Sequence, residues 1–409
     1  MRMMNSSSNV PKSVSDVCEV ITVDQLVKII SQKKEGDINI MVTGDNHLSS
    51  RSMDNLQIVD NLNYVTSDRI LKYTDSLVFN GDLLDRRISL ASTDASEFIL
   101  FGLGLLYRCK KNGTSLDLLE GTPSHDNRQS SILTLFDHYA IDADKVPLRY
   151  IDRVSVVNLL QDHQREYVLK HYGRDLKALF IPDEVNPNSQ VTWGMVKETL
   201  ALNQLESVDM SYVHGTFRYQ EPLFTEKSHS EENYESITEK RIVVNHWHQP
   251  SASGRIRAPG SLERLRHGEE ETKGFYYCII SPDSFQEFFV INQRAAIFKT
   301  IDISGYNLSN VHSMLEEIES LYPDARIRLQ LTRLDEAYPM LSDIRSKYRQ
   351  IKISEKIVDT VTEKAIDVDL INLDASFSIR PDNIQELVLK KIEDHEEEIK
   401  KRVESILGD

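Results

Sequence analysis

Five short β-branched or apolar runs, each breaking off in Asp, Asn or His, constrain this chain more than any other feature. Ile38 to Thr43 runs into Gly44-Asp45-Asn46-His47, Leu77-Val78-Phe79 into Asn80-Gly81-Asp82, and Leu116 to Leu119 into Glu120-Gly121-Thr122-Pro123-Ser124-His125-Asp126. Ser211-Tyr212-Val213 precedes His214-Gly215, and Arg241 to Val244 precedes Asn245-His246-Trp247-His248. Between the early runs, Asn55 to Tyr73 carries Leu56, Val59, Leu62 and Ile70 near helical spacing, and Ala95 to Cys109 is longer and more apolar. Strand, loop, helix, strand is the pattern of an α/β fold. Such sheets bind ligands just beyond the carboxyl ends of their strands, so a site is expected at these five ends.

Val146 to Val157 and Leu176 to Pro182 read as further strands without motif residues. The acidic, Ser-rich stretch Phe217 to Lys240 reads as an exposed loop, and Gly274 to Ile280 with Phe285 to Ile291 as closing strands. Phe298 to Leu373 alternates strand and amphipathic helix, a small α+β unit. Asp382 to Leu407 is the clearest helix, with Ile384, Val388, Ile392, His395, Ile399, Val403 and Ile406 on one stripe and charged residues behind, suited to packing on its own domain or docking on a partner. The expected division is an N-terminal extension over 1–35, a main domain over 36–295, the α+β unit over 296–375 and a terminal helix over 376–409.

The chain has 409 residues, a net charge of −16 and 40% hydrophobic residues, which describes an ordinary globular protein. No apolar run approaches the roughly 18 to 20 residues that cross a bilayer, so no membrane partner is expected. The polar start shows no secretory signal, and Cys18, Cys109 and Cys278 are widely spaced, which fits an intracellular, cytoplasmic protein. The acidity argues against gripping nucleic acid by net charge, though a local basic groove or one lent by a partner stays open.

Asp45-x-His47, Gly81-Asp82-x-x-Asp85, Ser124-His125-Asp126, His214 and His246-x-His248 bring carboxylates and five imidazoles from five strand ends. Oxygen ligands mixed with imidazole, without thiolate, suit Mn²⁺, Fe²⁺ or Zn²⁺. Two such ions about 3.5 to 4 Å apart support in-line displacement at phosphorus. The remaining histidines, His138, His163, His171, His229, His267, His312 and His395, fit no motif and read as surface or packed residues.

The set resembles the calcineurin-like metallophosphoesterase family, whose signature runs D-x-H, G-D-x-x-D, G-N-H-D/E, a lone His and G-H-x-H in that order. Within it the chain is similar to SbcD-type DNA repair nucleases, on Pro259-Gly260-Ser261-Leu262-Glu263-Arg264 leading to Gly268-Glu269 and Lys273-Gly274-Phe275. The resemblance covers Ile38 to Ile291 by motif. It implies a four-layer α/β/β/α sandwich followed by a smaller α+β capping domain that contacts DNA, then C-terminal helices that bind a coiled-coil SbcC-like ATPase. It also implies two divalent ions, foremost Mn²⁺. Asp45, His47 and His248 would hold the first, Asp82 would bridge, and His214 and His246 would hold the second. Ser124 stands where the family has its ligating Asn, in a motif longer by two residues. His125 would protonate or stabilise the leaving oxygen with Asp126 orienting it, and Asp85 would support the site from behind. Asn245 replaces the family's Gly, an exchange that a positive φ at Asn would explain.

Arg86 and Arg87, directly after the Gly-Asp motif, and Arg255 with Arg257 are candidate DNA contacts; for the second cluster, which includes Arg264 and Arg266, ion pairs with Glu263 and Glu269 to Glu271 are the competing expectation. The function expected is a metal-dependent DNA nuclease, exonucleolytic on duplex ends and endonucleolytic on single strands, that works with an SbcC-like ATPase in DNA repair or recombination. A homodimer through helices beside the metal domain, such as Phe98 to Leu106, is part of that expectation. The alternatives are a phosphodiesterase or phosphatase for nucleotides or phosphoproteins, and a weakly catalytic scaffold subunit.

Overall fold

Two mixed sheets and one parallel sheet organise the computed structural model, which describes residues 13–139, 148–183, 188–221 and 225–358. In spatial order the seven-stranded sheet contains β1 (Glu19–Thr22), β13 (Phe285–Ile291), β12 (Gly274–Ile280), β2 (Ile38–Thr43), β3 (Ser76–Asn80), β4 (Ser115–Leu119) and β5 (Leu148–Ile151). The six-stranded sheet contains β10 (Ser251–Ser253), β11 (Ile256–Ala258), β9 (Thr238–Asn245), β8 (Val208–His214), β7 (Lys177–Ile181) and β6 (Ser155–Asn158). The third contains β14 (Phe298–Asp302), β15 (Arg326–Leu331) and β16 (Lys352–Ile357). All three belong to one compact unit. Strands β2 to β5 run parallel to one another, as do β7, β8 and β9, so the carboxyl ends that bear the motifs point the same way within each sheet.

The strand runs look continuously apolar because both faces of each sheet are covered. Successive residues alternate between separate cores. Met41, Leu77, Phe79, Leu116 and Leu118 pack with the helices Val23–Ile30, Asn55–Val65 and Thr93–Asn112. Ile40, Val42, Val78 and Leu119 instead meet Ala178, Phe180, Met210, Tyr212 and Val243 of the six-stranded sheet. On that sheet's other face, Leu179, Ile181, Val213 and Val244 pack with Val196 and Leu200 of the helix Ser189–Leu202 and with Tyr234 and Ile237 of Glu231–Ile237. Each fully buried side chain of this kind contributes roughly 1.5–3 kcal/mol.

Polar residues also tie the two large sheets together. Glu287 on β13 accepts from Arg241 on β9 (Nε to Oε2 2.8 Å, Nη2 to Oε1 2.8 Å), from Arg257 on β11 (3.1 and 2.9 Å) and from the Tyr276 hydroxyl (2.9 Å). Burial alone would raise the Glu287 carboxyl, but the two guanidinium groups bring it down to about 2. Asn80 donates its amide to the carbonyls of Val213 (3.1 Å) and Val243 (3.2 Å), fixing the end of β3 against β8 and β9.

Several sequence expectations need correction. Residues 1–35 are not simply an extension, since Glu19–Thr22 pairs in parallel with β13 and Val23–Ile30 buries Val23, Leu26 and Ile30. The 217–240 stretch is not all loop: Glu231–Ile237 is helical because Tyr234 and Ile237 are needed in a core, and β9 begins at Thr238. The 298–357 region is βαβαβ with three parallel strands, a parallel α/β unit rather than an α+β one, because a crossover helix, Leu308–Leu321 or Leu341–Lys347, joins each strand to the next. The boundary at 295–296 also carries contacts, with Thr300 N donating to Glu270 Oε1 (2.7 Å) and Arg326 donating to the Ser52 carbonyl.

The Ala95 to Cys109 segment lies in one helix, capped by Ser92 and ended by Gly113 in the left-handed region. Phe98, Phe101, Leu105 and Leu106 are buried, while Leu100 and Tyr107 are each 68% exposed. All three cysteines are buried and free. Among the described residues no helix is long and apolar enough to cross a membrane. The expected terminal helix, Asp382 to Leu407, lies outside the described residues.

Candidate metal centre

Six strand ends converge on one cluster. Asp45 and His47 follow β2, Asp82 follows β3, Thr122 and His125 follow β4, Asp183 follows β7, His214 ends β8, and His246 and His248 follow β9. Three groups of these residues could hold a metal ion: Asp45 with His47 and His248, His47 with Asp82 and His125, and Asp82 with His214 and His246. In each group the ligand atoms lie within 4.8 Å of one another. His47 and Asp82 each serve two groups, so the three form a continuous constellation.

The local backbone is held in rare conformations to achieve this. Asp45, His47 and Asp82 sit at φ 49°, 50° and 48°, the left-handed region that costs a non-glycine residue about 1–3 kcal/mol. Backbone bonds between the loops offset that cost: Asp45 N to Gly81 O (3.1 Å), Asn46 N to Asp82 O (2.8 Å) and Leu48 N to Leu83 O (2.9 Å). Gly81, at φ 84°, lies against the His214 imidazole, and Gly121 lies against the backbone N and Oδ1 of Asp82. A Cβ at either position would overlap those atoms, which explains both glycines of the motifs.

Asp82 Oδ2 is the focus of the site. It lies 3.0 Å from His125 Nδ1, 3.1 Å from Thr122 Oγ1, 3.3 Å from His214 Nε2 and 3.9 Å from His47 Nε2. Burial alone would raise this carboxyl, yet His214, His125 and His47 hold it well below the ordinary range. His214 is correspondingly raised well above the usual imidazole value, its burial outweighed by Asp82, Asp45 and Asp183. The hydrogen bond to Asp82 raises His125.

The fit to cations is visible in how the outer atoms are engaged. His214 Nδ1 donates to the Asn80 carbonyl at 2.7 Å, which turns Nε2 toward Asp82 and Asp45. His248 Nδ1 is held by Glu269 Oε1 at 2.9 Å, and His47 Nδ1 lies 3.2 Å from Asp85 Oδ1. With both outer nitrogens on carboxylates, the Nε2 atoms of His47 and His248 turn toward each other at 3.0 Å. Carboxylate-oriented imidazoles of this kind are how proteins present ligands to metals. Asp45 Oδ1 and His214 Nε2, both fully buried, have no hydrogen-bond partner. Unpaired buried acceptors are costly, and hard divalent cations suit this set of oxygen and imidazole donors.

The structure places some expected site residues elsewhere. Ser124 is exposed, carried outward by the two extra residues of its loop. Thr122, the residue directly after Gly121, takes the inner position: its N donates to Asp82 Oδ1 (2.6 Å), and its Oγ1 lies 3.3 Å from His246 Nδ1. Asp126 does not orient His125. Its fully buried carboxylate accepts from Leu84 N and Gly121 N, each at 2.8 Å, and burial together with Asp82 raises it to about 7. Asn245 is not at positive φ; its amide donates to Asp45 Oδ2 (3.2 Å) and to the Gly260 carbonyl (3.1 Å).

Of the candidate DNA contacts, Arg257 is withdrawn from the surface by its pairing with Glu287. Arg255 is exposed and donates to the Thr238 carbonyl. Arg86 is half-buried, donating to the Ser49 carbonyl (2.8 Å) and pairing with Asp94 (3.0 Å), whereas Arg87 is exposed. Sequence reasoning missed Thr122, Asp183 and Glu269. Thr122 was legible as the residue after Gly121, and Asp183 as an acid two residues past a strand.

Beside the histidines lies a cavity of about 510 Å³, lined by His246, Trp247, His248, Arg266, His267 and Glu269 among others. Trp247 is 39% exposed there, and Arg266, mostly exposed, pairs with Glu269 at 3.2 Å. No known protein-family profile matches the sequence, and no curated protein is significantly similar to it. One crystal structure aligns with 61% of this chain and 98% of its own at 10% identity with a TM-score of 0.34, a likeness that carries no argument.

Proposed function

We propose that the protein is a dimetal phosphodiesterase, a DNA nuclease of the SbcD type. The observation that carries this reading is the sharing of His47 and Asp82 between adjacent ligand groups, the arrangement needed for two ions held side by side. The order of the cores, helices, sheet, sheet, helices, supports the four-layer α/β/β/α sandwich of metallophosphoesterases.

Asp45, His47 and His248 would hold one ion, His214 and His246 the other, and Asp82 would lie between them. Two divalent ions, Mn²⁺ foremost, would supply Lewis acidity and an activated water for in-line attack on a phosphodiester. His125, half-buried at the edge of the cluster, would bind the scissile phosphate and donate a proton to the leaving oxygen. Glu269 fixes the ring orientation of His248 by a hydrogen bond, and Asp85 stands 3.2 Å from His47 Nδ1. Trp247 offers an unpaired base an aromatic face beside the metals, and Arg266 and Arg87 offer charge to the backbone.

In this proposal the 298–357 unit caps the site toward DNA, and the C-terminal segment docks on an SbcC-like ATPase inside the cell. The exposed Leu100 and Tyr107 face of the Thr93–Asn112 helix would pair two copies. The test is nucleotide release from end-labelled linear duplex DNA with Mn²⁺, with and without such an ATPase and ATP. Release that disappears in His125→Ala supports the proposal; no release under either condition contradicts it.

A further inference from the structure

We infer that Asp183 is a ligand of the second metal position, alongside His246, in the role that the resembled family gives to an asparagine amide. The inference rests on the dimetal reading above. Neither Ser124 nor any asparagine reaches the cluster at that point: Ser124 is exposed, and Thr122 brings only a hydroxyl, 3.3 Å from His246 Nδ1. On the same nitrogen, at 3.7 Å, stands Asp183 Oδ2.

Two features set this carboxylate apart. Its side chain is 11% exposed, and Oδ2 is shielded from solvent with no hydrogen-bond partner. Among the described residues no lysine or arginine pairs with it. A buried oxygen acceptor that receives no hydrogen bond is unfavourable, so its place 3.7 Å from His246 Nδ1, among metal-type ligands, points to a cation as its partner. Its placement follows from the sheet. Ile181 on β7 pairs with Val213 on β8, so the chain two residues on, past Pro182, comes alongside His214 and Gly215.

The substitution has a chemical consequence. Replacing a neutral amide by a carboxylate gives the second position a harder, charged ligand and lowers the net charge of a dication pair by one. Asp183 thereby makes good the loss of the asparagine, and the site retains a full complement of oxygen donors.

The experiment is isothermal titration of Mn²⁺ into the full-length apo protein and into Asp183→Asn and Asp183→Ala, with thermal melting in EDTA and in Mn²⁺. The wild type is expected to bind two ions, and Asp183→Ala to keep one site while the other weakens at least tenfold, with Asp183→Asn, which restores an amide oxygen, between the two. In EDTA the variants should melt no lower than wild type, because the Oδ2 they remove makes no hydrogen bond; in Mn²⁺ they should gain less. A structural role would instead lower the melting temperature in EDTA, and that result overturns the inference. Two ions bound equally tightly by wild type and Asp183→Ala overturn the Asp183 assignment alone. A wild type that binds fewer than two ions overturns the dimetal reading and the assignment with it.

Discussion

His47 and His248 face each other with their Nε2 atoms 3.0 Å apart while a carboxylate stands at the far nitrogen of each ring, Asp85 at 3.2 Å and Glu269 at 2.9 Å. Two imidazole nitrogens turned inward with carboxylates behind them could hold a metal ion, and Asp45 completes that group. Glu269 is itself anchored: burial opposes its ionisation, yet His248 and the fully buried Lys273 bring it to about 2. Glu269→Gln should weaken Mn²⁺ binding about 10- to 100-fold with little change in fold. Titration calorimetry checks this, and unchanged affinity would mean that Glu269 does not orient a ligand.

Thr122 and Ser124 make opposite predictions. Thr122 contacts both Asp82 and His246, whereas Ser124 is exposed. Thr122→Ala should reduce Mn²⁺ affinity at the second position about tenfold, and Ser124→Ala should leave it unchanged. Parallel titrations of the two variants decide the matter, and a larger effect at Ser124 would restore the sequence-based assignment.

Glu287 sets an acid limit on stability. Its carboxyl is about 2 in the fold and ordinarily 4.5, so the fold binds fewer protons here than the unfolded chain between those values. The stabilisation is complete above about pH 4.5 and is lost as pH falls toward 2, amounting to about 3 kcal/mol at 1.36 kcal/mol per unit. Glu287→Gln would leave Arg241 and Arg257 without their anion and should cost about 3–5 kcal/mol at neutral pH. Urea unfolding of wild type and variant at pH 7 and pH 3.5 measures both, and the difference should shrink at the lower pH.

Trp247 lies between His246 and His248 in the chain, is 39% exposed and lines a cavity of about 510 Å³. Stacking of a base on an aromatic ring contributes roughly 1–3 kcal/mol. Trp247→Ala should raise KM for single-stranded oligonucleotides about 5- to 150-fold and leave kcat nearly unchanged. Steady-state kinetics on a short oligonucleotide separates the two, and a fall in kcat alone would contradict stacking.

Much of this architecture was legible because strand ends write their chemistry into short motifs. The Asp45, Asp82, His214 and His246 runs marked the right edge of both sheets, since parallel neighbours bring those ends together. What escaped was long-range pairing. Arg257 looked like a surface cation next to glycines, and only the stacking of β11 on β13 shows that Glu287 claims it. Ser124 was aligned by its distance from His125, whereas the loop is fixed from its other end by Gly121 against Asp82. Glu19–Thr22 was too short for periodicity to reveal, and its parallel partner lies more than 260 residues away.

The most direct test of the proposed dinuclear site is anomalous diffraction at the manganese edge from crystals grown with Mn²⁺. Two peaks about 3.5–4 Å apart are expected, one among Asp45, His47, His248 and Asp82, the other among Asp82, His214 and His246. A single peak, or none between these side chains at saturating Mn²⁺, would contradict the account.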